Sequence, residues 1–177
     1  MTGSLMNTTL FIILFTVLYT SVVVSCKHRT MKNNKIAYLL LFLYCLIIFS
    51  ITIFPLPEHF YLKQSFVLKQ INWYPFRDVI FGYRHAKREI LLNIMLFIPF
   101  GYFLTAAIKR RLLIILLITF TCSLIIESMQ VMTILVESTY KRHPDITDII
   151  TNCTGALVGY LFFQWFTFLK RHIYVYF

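Results

Sequence analysis

Charged residues are so widely spaced in this chain that they leave long apolar segments between them. About 20 consecutive apolar residues in a helix are enough to cross the hydrocarbon core of a bilayer. No charge occurs between Met1 and Cys26, and four further segments of suitable length follow. We therefore predict five transmembrane helices near residues 8–26, 36–56, 89–108, 112–135 and 148–169.

The composition supports an all-α integral membrane protein. Only 14% of the residues are charged and the mean hydropathy is +0.74, whereas about a quarter of residues are charged in soluble domains. Disorder requires low hydrophobicity, but 59% of this chain is hydrophobic. We expect residues 1–177 to form a single membrane domain, a bundle of five transmembrane helices.

Basic residues define the expected orientation. Nine Lys and Arg lie at alternate boundaries of the segments, and none of the seven acidic residues does. The positive-inside rule makes these boundaries cytoplasmic, with the N-terminus outside and the C-terminus inside. The net charge of +10 is therefore attributed to membrane boundaries, and no nucleic-acid partner is expected. The nine residues are Lys27, Arg29, Lys32, Lys35, Lys109, Arg110, Arg111, Lys170 and Arg171.

The one long connection, about residues 58–88, is predicted on the outer side. Aromatic residues such as Trp73, Tyr74 and Phe81 alternate there with basic residues such as Arg77 and Arg84. Aromatic rings with basic partners suit the headgroup layer of a membrane. We expect this aromatic-rich loop to lie on the outer interface.

Polar residues occur in pairs near the outer ends of three predicted spans. Because residues three or four apart share one face of a helix, each pair can face the same neighbour. Ionisable groups inside a membrane usually face the bundle interior or a wet cavity. The pairs are Glu89 with Asn93, Glu127 with Gln130, and Asp148 with Asn152.

Most of these residues also have a purely structural interpretation. Asp145 follows Pro144 and precedes Asp148 by three residues, as expected of a helix N-cap and its N3 acid. Glu89 suits the first turn of a helix, where an acid interacts favourably with the helix dipole. Asn93 and Asn152 can form hydrogen bonds between helices.

Glu127 lies in mid-span, beyond the reach of a helix end, and is the strongest candidate for a functional residue. We predict that a shared polar site opens to the outer leaflet. Its predicted members are Asn93, Glu127, Gln130, Arg142, Asp145, Asp148 and Asn152.

Glycines indicate where helices approach each other closely. Gly155 and Gly159 form a GxxxG pattern on the face that carries Asp148 and Asn152, and Gly101 follows Pro99 in the third span. Small residues let backbones approach each other, and a proline inside a helix is expected to kink it. Packing is the simpler interpretation of the glycines, and it would bring the third and fifth spans together.

Four stretches resemble the signatures of the VanZ-like family. Asn93 to Gly101 is similar to NxxxFxPxG, with Phe97 and Pro99 in register, and Glu127 to Gln130 is similar to ExxQ. Residues 142–155 resemble RxxDxxDxxxNxxG, with Gly159 as the following glycine. Residues 72–76, with Asn72, Pro75 and Phe76, resemble the family's NxxPF element. The resemblance covers residues 72–159. Two departures are Lys141, where the family often has glycine, and a longer connection before Arg142.

The resemblance implies a small multi-pass protein of the bacterial cell membrane. The family's namesake is associated with resistance to teicoplanin, a glycopeptide antibiotic that acts on cell-wall precursors outside the membrane. Implied partners are membrane lipids and either a lipid-linked cell-wall precursor or a glycopeptide antibiotic. The oligomeric state stays open.

Two classes of function fit these residues. The first is a non-catalytic envelope protein that changes antibiotic access or binding at the outer leaflet. The second is an enzyme acting on an envelope lipid or lipid-linked precursor. Glu127, Asp148 and Glu89 would be its candidates for acid/base chemistry, and Arg142 would bind a phosphate or carboxylate. A transporter fits poorly, because the five segments show no repeat symmetry. No cofactor and no metal site are predicted, although carboxylates are also ligands that divalent cations accept.

Overall fold

A computed structural model describes residues 35–53, 71–136 and 144–173 of the chain. Within these residues the protein is helical, without a β-strand. The helices are α1 (Lys35–Ile53), α2 (Arg77–Ile80), α3 (Ala86–Ile108), α4 (Leu112–Val136) and α5 (Ile146–Ile173). The predicted span at 8–26 and the residue Arg142 lie outside the described residues.

Four of the described helices are long and apolar enough to cross a membrane. Their apolar stretches are Lys35–Thr52, Ala86–Ile108, Leu112–Met132 and Ile146–His172. Large apolar side chains such as Leu39, Leu113 and Leu161 remain exposed on their outer faces, as expected of surfaces that meet lipid. The chain is a multi-pass membrane protein.

Among the described helices, α3 and α5 form the most extensive contact, and α1 packs on α3 and α4 on α5. Glycines allow the close approach of α3 and α5. A Cβ atom at Gly155 would meet the Ile94 carbonyl oxygen and lie 2.9 Å from the Phe97 Cβ atom, and one at Gly159 would meet the Ile98 carbonyl oxygen. The two backbones are therefore in direct contact along this seam.

A small apolar core lies between α1, α3 and α4. Its buried members are Ile48, Phe97, Phe100, Leu104, Ile115 and Ile126. The Tyr44 hydroxyl of α1 donates a hydrogen bond of 2.7 Å to the Leu96 carbonyl oxygen of α3. Pro99 lies inside α3, three residues further on. Together with the glycine seam, this core holds α4 and α5 in the positions that bring their polar residues together.

Candidate functional site at the start of α5

The first turn of α5 is capped by Asp145. Its Oδ1 atom accepts a hydrogen bond of 2.7 Å from the Thr147 backbone N–H, and its carbonyl oxygen accepts one of 3.0 Å from the Asp148 N–H. The first N–H groups of a helix have no partner inside the helix, so such a cap stabilises its start. Asp145 is thus an N-cap residue, the structural role considered for it from the sequence.

Glu127 of α4 completes this cap from a neighbouring helix. Its Oε2 atom accepts a hydrogen bond of 3.0 Å from the Asp145 backbone N–H. In a capping box, the acid at the third helical position of the same helix accepts that N–H, and here that position is Asp148. Glu127 is 6% exposed and also interacts electrostatically with Asp148 and Asp145. Three carboxylates therefore lie close together at one end of α4 and α5.

Asn72, in the loop before α2, is hydrogen-bonded to the start of α5. Its N–H donates to the Pro144 carbonyl oxygen (2.9 Å), its carbonyl oxygen accepts from the Ile146 N–H (3.2 Å), and its side-chain Nδ2 donates to Asp145 Oδ2 (2.8 Å). The backbone bonds form an isolated parallel bridge between Asn72 and Asp145. We call Asn72, Glu127, Asp145 and Thr147 the cap cluster.

Phe76 is held in an unusual backbone conformation by the cap cluster. Its φ angle of 59° lies in the left-handed region, which a bulky residue other than glycine rarely adopts. The Phe76 N–H donates a hydrogen bond of 2.9 Å to Thr147 Oγ1. Pro75 beside it is exposed. The segment 72–76 is therefore fixed to the start of α5 at both of its ends.

A buried polar face extends along α4 from the cap cluster. Thr119, Ser123, Glu127 and Gln130 follow each other at helical spacing, and all four are buried. The Ser123 Oγ atom accepts a hydrogen bond of 2.8 Å from Asn152 Nδ2 of α5. This polar contact joins the two helices one turn of α4 before Glu127. The Asn152 Oδ1 atom is buried, with no hydrogen-bond partner among the described residues.

The predicted site residues do not all meet. Glu127 and Asp145 are joined by a hydrogen bond, and Asp148 and Asn152 lie on the adjoining turns of α5. By contrast, Glu89 is exposed in the first turn of α3, and Asn93 is half-buried one turn later. The described hydrogen bonds do not connect Glu89 or Asn93 to the cap cluster. Arg142 lies outside the described residues.

Three residues that make these contacts are not predicted as site residues from the sequence. The NxxPF element contains Asn72 without indicating its partner, and Thr147 and Ser123 stand at no defined position of any motif. Ser123 precedes Glu127 by one helical turn, but this spacing is only a weak signal, because serine in a helix commonly bonds to its own backbone. No local pattern reports the contact between Asn72 and Asp145, because 73 positions separate them along the chain.

The cap cluster lies at the end of a cavity of about 730 Å³ between α4 and α5, which we call the α4–α5 groove. Glu127, Asp145 and Asn72 line it at one end. Its apolar walls include Leu116, Phe120 and Leu124 of α4 and Ile150, Cys153 and Leu157 of α5. No group of three or more His, Cys, Asp or Glu side chains that could hold a metal ion occurs in the three described segments.

A model of the VanZ/LLP1 family matches residues 41–167. The chain belongs to the VanZ/LLP1 family. The match contains residues 72–159 and extends into α1 on one side and along α5 on the other. No curated protein and no solved structure matches the chain. The stretches that resemble the family's NxxPF, ExxQ and RxxDxxD elements supply Asn72, Glu127 and Asp145, which the fold joins in one cluster.

Replacing Asp145 by alanine is expected to destabilise the protein by about 1–3 kcal/mol. The change removes the N-cap of α5 and leaves the buried Asn72 amide without its acceptor. Asp145→Asn should cost less, since asparagine is an equally good N-cap residue. Thermal unfolding in detergent measures both variants, and wild-type stability of Asp145→Ala would contradict the assigned cap.

Proposed function

We propose that this VanZ-family protein contributes to glycopeptide resistance of the teicoplanin type through a polar site around Glu127, open to the outer leaflet. The observation that supports this most directly is the position of Glu127 itself. It is buried, lies within an apolar span, and reaches the end of the α4–α5 groove. A carboxylate inside a membrane is costly, so its presence indicates a functional site.

The distribution of charge supports the outward orientation of this site. The start of α1, the turn between α3 and α4, and the end of α5 carry Lys35, Lys109–Arg111 and Lys170–Arg171. In a bundle of consecutive antiparallel spans these positions share one side, which the positive-inside rule makes cytoplasmic. The cap cluster belongs to the opposite ends of α4 and α5, on the outer side.

A fluorescent protein that folds only in the cytoplasm should therefore be bright when fused after Phe177. A periplasmic or cell-surface reporter at the same position should be inactive, because the C-terminus is proposed to be cytoplasmic. For a given location of the C-terminus, one of the two reporters should be active and the other inactive. A dark cytoplasmic reporter with an active outer one would reverse the orientation and place the cap cluster on the inner side.

The segment before α3 supports contact with the outer membrane surface. Trp73 and Tyr74 are 64% and 75% exposed, and Phe81 is 68% exposed. The Arg77 guanidinium carbon lies 5.8 Å from the centre of the Phe81 ring, a cation–π arrangement. Exposed aromatic rings with basic partners suit the headgroup layer. In this proposal the segment rests on the bilayer beside the site.

Expression of the protein in a teicoplanin-susceptible bacterium tests the proposal. The minimal inhibitory concentration of teicoplanin should rise relative to cells carrying an empty vector. A cell-envelope antibiotic of a different class is the control for general effects on growth. An unchanged minimal inhibitory concentration of teicoplanin, with the protein present in the membrane, would count against the proposal.

An enzyme acting on an envelope lipid or a lipid-linked precursor is the second candidate. It is favoured by the closeness of the Glu127, Asp145 and Asp148 carboxylates beside an apolar groove. Neighbouring carboxylates in different environments can divide the roles of general acid and general base. Mass comparison of lipid extracts from cells with and without the protein distinguishes the candidates, because only an enzyme produces a new species or removes one.

A further inference from the structure

Basic and apolar side chains follow each other along one exposed face of α3. Their positions recur every three or four residues, so they share this face of the helix. The basic members are exposed at the start of α3, and the apolar members are each more than half exposed over the following turns. We call this set the α3 stripe. It consists of Arg84, Lys87, Arg88, Leu91, Leu92 and Met95.

The α3 stripe lies opposite the packed side of α3. Phe97, Phe100 and Leu104 form the buried side, and consecutive residues of a helix are about 100° apart around its axis. Phe97 is therefore about half a turn away from Arg88. The apolar stretch of α3 begins at Ala86. The apolar part of the stripe thus meets acyl chains, and its basic part lies at the edge of the hydrocarbon layer, where long basic side chains reach the head groups.

The basic residues of the α3 stripe are not neutralised by neighbouring acids. Within the described residues, no hydrogen bond or ion pair joins Arg84, Lys87 or Arg88 to a carboxylate. Glu89 follows Arg88 directly, but consecutive residues of a helix do not face each other. Residues 71–95 contain four Lys or Arg and two acids, which leaves a net charge of +2.

The other acids at this end of the bundle do not supply the missing counter-charge. The carboxylates of the cap cluster are bonded at the start of α5. The connections after α1 and after α4, residues 54–70 and 137–143, lie outside the described residues and contain more basic residues than acids. Lys63, Lys69, Lys141 and Arg142 stand there against Glu58 and Glu137. We therefore expect the counter-charge of the α3 stripe to come from outside the chain.

We propose that the α3 stripe binds an anionic phospholipid. The lipid phosphate lies beside Arg88 and Lys87, with Arg84 at the rim, and an acyl chain runs along Leu91 and Met95. The surface is on α3, separate from the α4–α5 groove. The inference does not depend on glycopeptide resistance, and it holds whichever leaflet surrounds the start of α3.

The chemistry of the stripe favours a head group with a net negative charge. Arginine forms paired, charge-assisted hydrogen bonds with phosphate oxygens, and clusters of basic residues beside a span are attracted to anionic lipids. A zwitterionic head group such as phosphatidylcholine carries its own ammonium group, which would meet the like charges of the stripe. Phosphatidylglycerol has the same phosphate and chains without that ammonium group.

Tryptophan quenching by brominated lipids tests this selectivity at a defined place. The full chain, with Trp73→Phe and Trp165→Phe, carries the single reporter Leu92→Trp in phosphatidylcholine bilayers. Phosphatidylglycerol or phosphatidylcholine with bromine atoms on the acyl chains is added at equal low fractions. Quenching should indicate an association constant about fivefold higher for phosphatidylglycerol, the effect of roughly one basic residue near an anionic surface.

Ile47→Trp on α1 is the matched control reporter. Ile47 and Leu92 are 49% and 51% exposed, and each lies six residues from the end of its helix, at Ile53 or Ala86. The hydrogen bond from Tyr44 to the Leu96 carbonyl oxygen shows that these parts of α1 and α3 lie side by side. No Lys or Arg occurs between Lys35 and Lys63, so Ile47→Trp should be quenched equally by both lipids.

Two double variants separate the position of the charges from the net charge of the protein. Lys87→Gln with Arg88→Gln should remove the preference at Leu92→Trp, whereas Lys170→Gln with Arg171→Gln, at the exposed end of α5, should leave it intact. Soluble glycerol phosphate should not compete, because it lacks the chains that lie on the apolar part of the stripe.

The inference would be overturned by equal quenching of Leu92→Trp by the two lipids, or by the same preference at Ile47→Trp. A preference that survives in the Lys87 and Arg88 variant, or that both double variants lose equally, would also overturn it. Loss of the preference on adding glycerol phosphate would show a site for free phosphate instead of a lipid. Teicoplanin resistance without lipid selectivity would refute this inference alone, and selectivity without resistance would refute the proposed function alone.

Discussion

Glu127→Gln is expected to abolish teicoplanin resistance while leaving the amount of protein in the membrane unchanged. Glutamine has nearly the same shape, and its side-chain oxygen can still accept the hydrogen bond that Glu127 accepts from the Asp145 N–H. The start of α5 should therefore stay in place. The negative charge at the end of the groove is lost, however, together with any proton transfer that the carboxylate performs.

Glu89→Gln is the matched control for this prediction. Glu89 is exposed in the first turn of α3 and is not connected to the cap cluster by the described hydrogen bonds. The inhibitory concentration of teicoplanin and the membrane abundance are measured for both variants. Full teicoplanin resistance in Glu127→Gln, or an equal loss of resistance in both variants, would show that Glu127 is not the central residue of the site.

Gly155→Ala and Gly159→Ala are expected to prevent normal folding, although each adds only one methyl group. A Cβ atom at Gly159 would meet the Ile98 carbonyl oxygen and lie 2.7 Å from the Tyr102 backbone nitrogen. Backbone atoms inside a packed helix cannot move aside as a flexible side chain can. The helices α3 and α5 must therefore separate, and the cost should exceed the roughly 1–3 kcal/mol typical of overpacked cores.

Membrane abundance and thermal stability in detergent measure this effect. Thr154→Leu is the control, because Thr154 is an exposed neighbour of Gly155 and the change adds a larger side chain away from the seam. It should accumulate and unfold like the wild-type protein. Normal abundance and stability of both alanine variants would mean that α3 and α5 do not pack through these glycines.

Charge spacing located the apolar parts of the described helices but not their ends. The predicted span at 89–108 corresponds to α3, which begins earlier, at Ala86, and the span at 148–169 corresponds to α5, which continues to Ile173. Helices extend beyond the apolar layer into the interface, where Lys170 and Arg171 are solvated and interact favourably with the C-terminal end of the helix dipole. A charge therefore marks the limit of the hydrocarbon region, not of the helix.

The site could be predicted only as far as helical periodicity extends. Helical spacing predicts that Glu127 and Gln130 share one face of α4 and that Asp148 and Asn152 share one face of α5. The position of Asp145 before α5 predicts a helix cap. The contact of Asn72 with this cap depends on how the segment before α2 crosses the start of α5, which no local pattern encodes. Ser123 gave little signal because serine in a helix commonly bonds to its own backbone.

The most direct test of the account is the accessibility of Ser128 from outside the cell. Ser128 is exposed, follows Glu127 and lines the α4–α5 groove. Thr121, also exposed, lies seven residues deeper on α4, about 10 Å at about 1.5 Å per residue. Both hydroxyls donate to the carbonyl oxygen one turn earlier, so cysteine at either position should perturb α4 equally.

In a background without the native cysteines, a membrane-impermeant maleimide should label Ser128→Cys in intact cells. Thr121→Cys should remain unlabelled, because its thiol would face the hydrocarbon region. This result would establish a water-accessible site at the outer end of α4. Labelling of Ser128→Cys only after the cytoplasmic face is exposed would contradict the outward-facing site on which the proposed function depends.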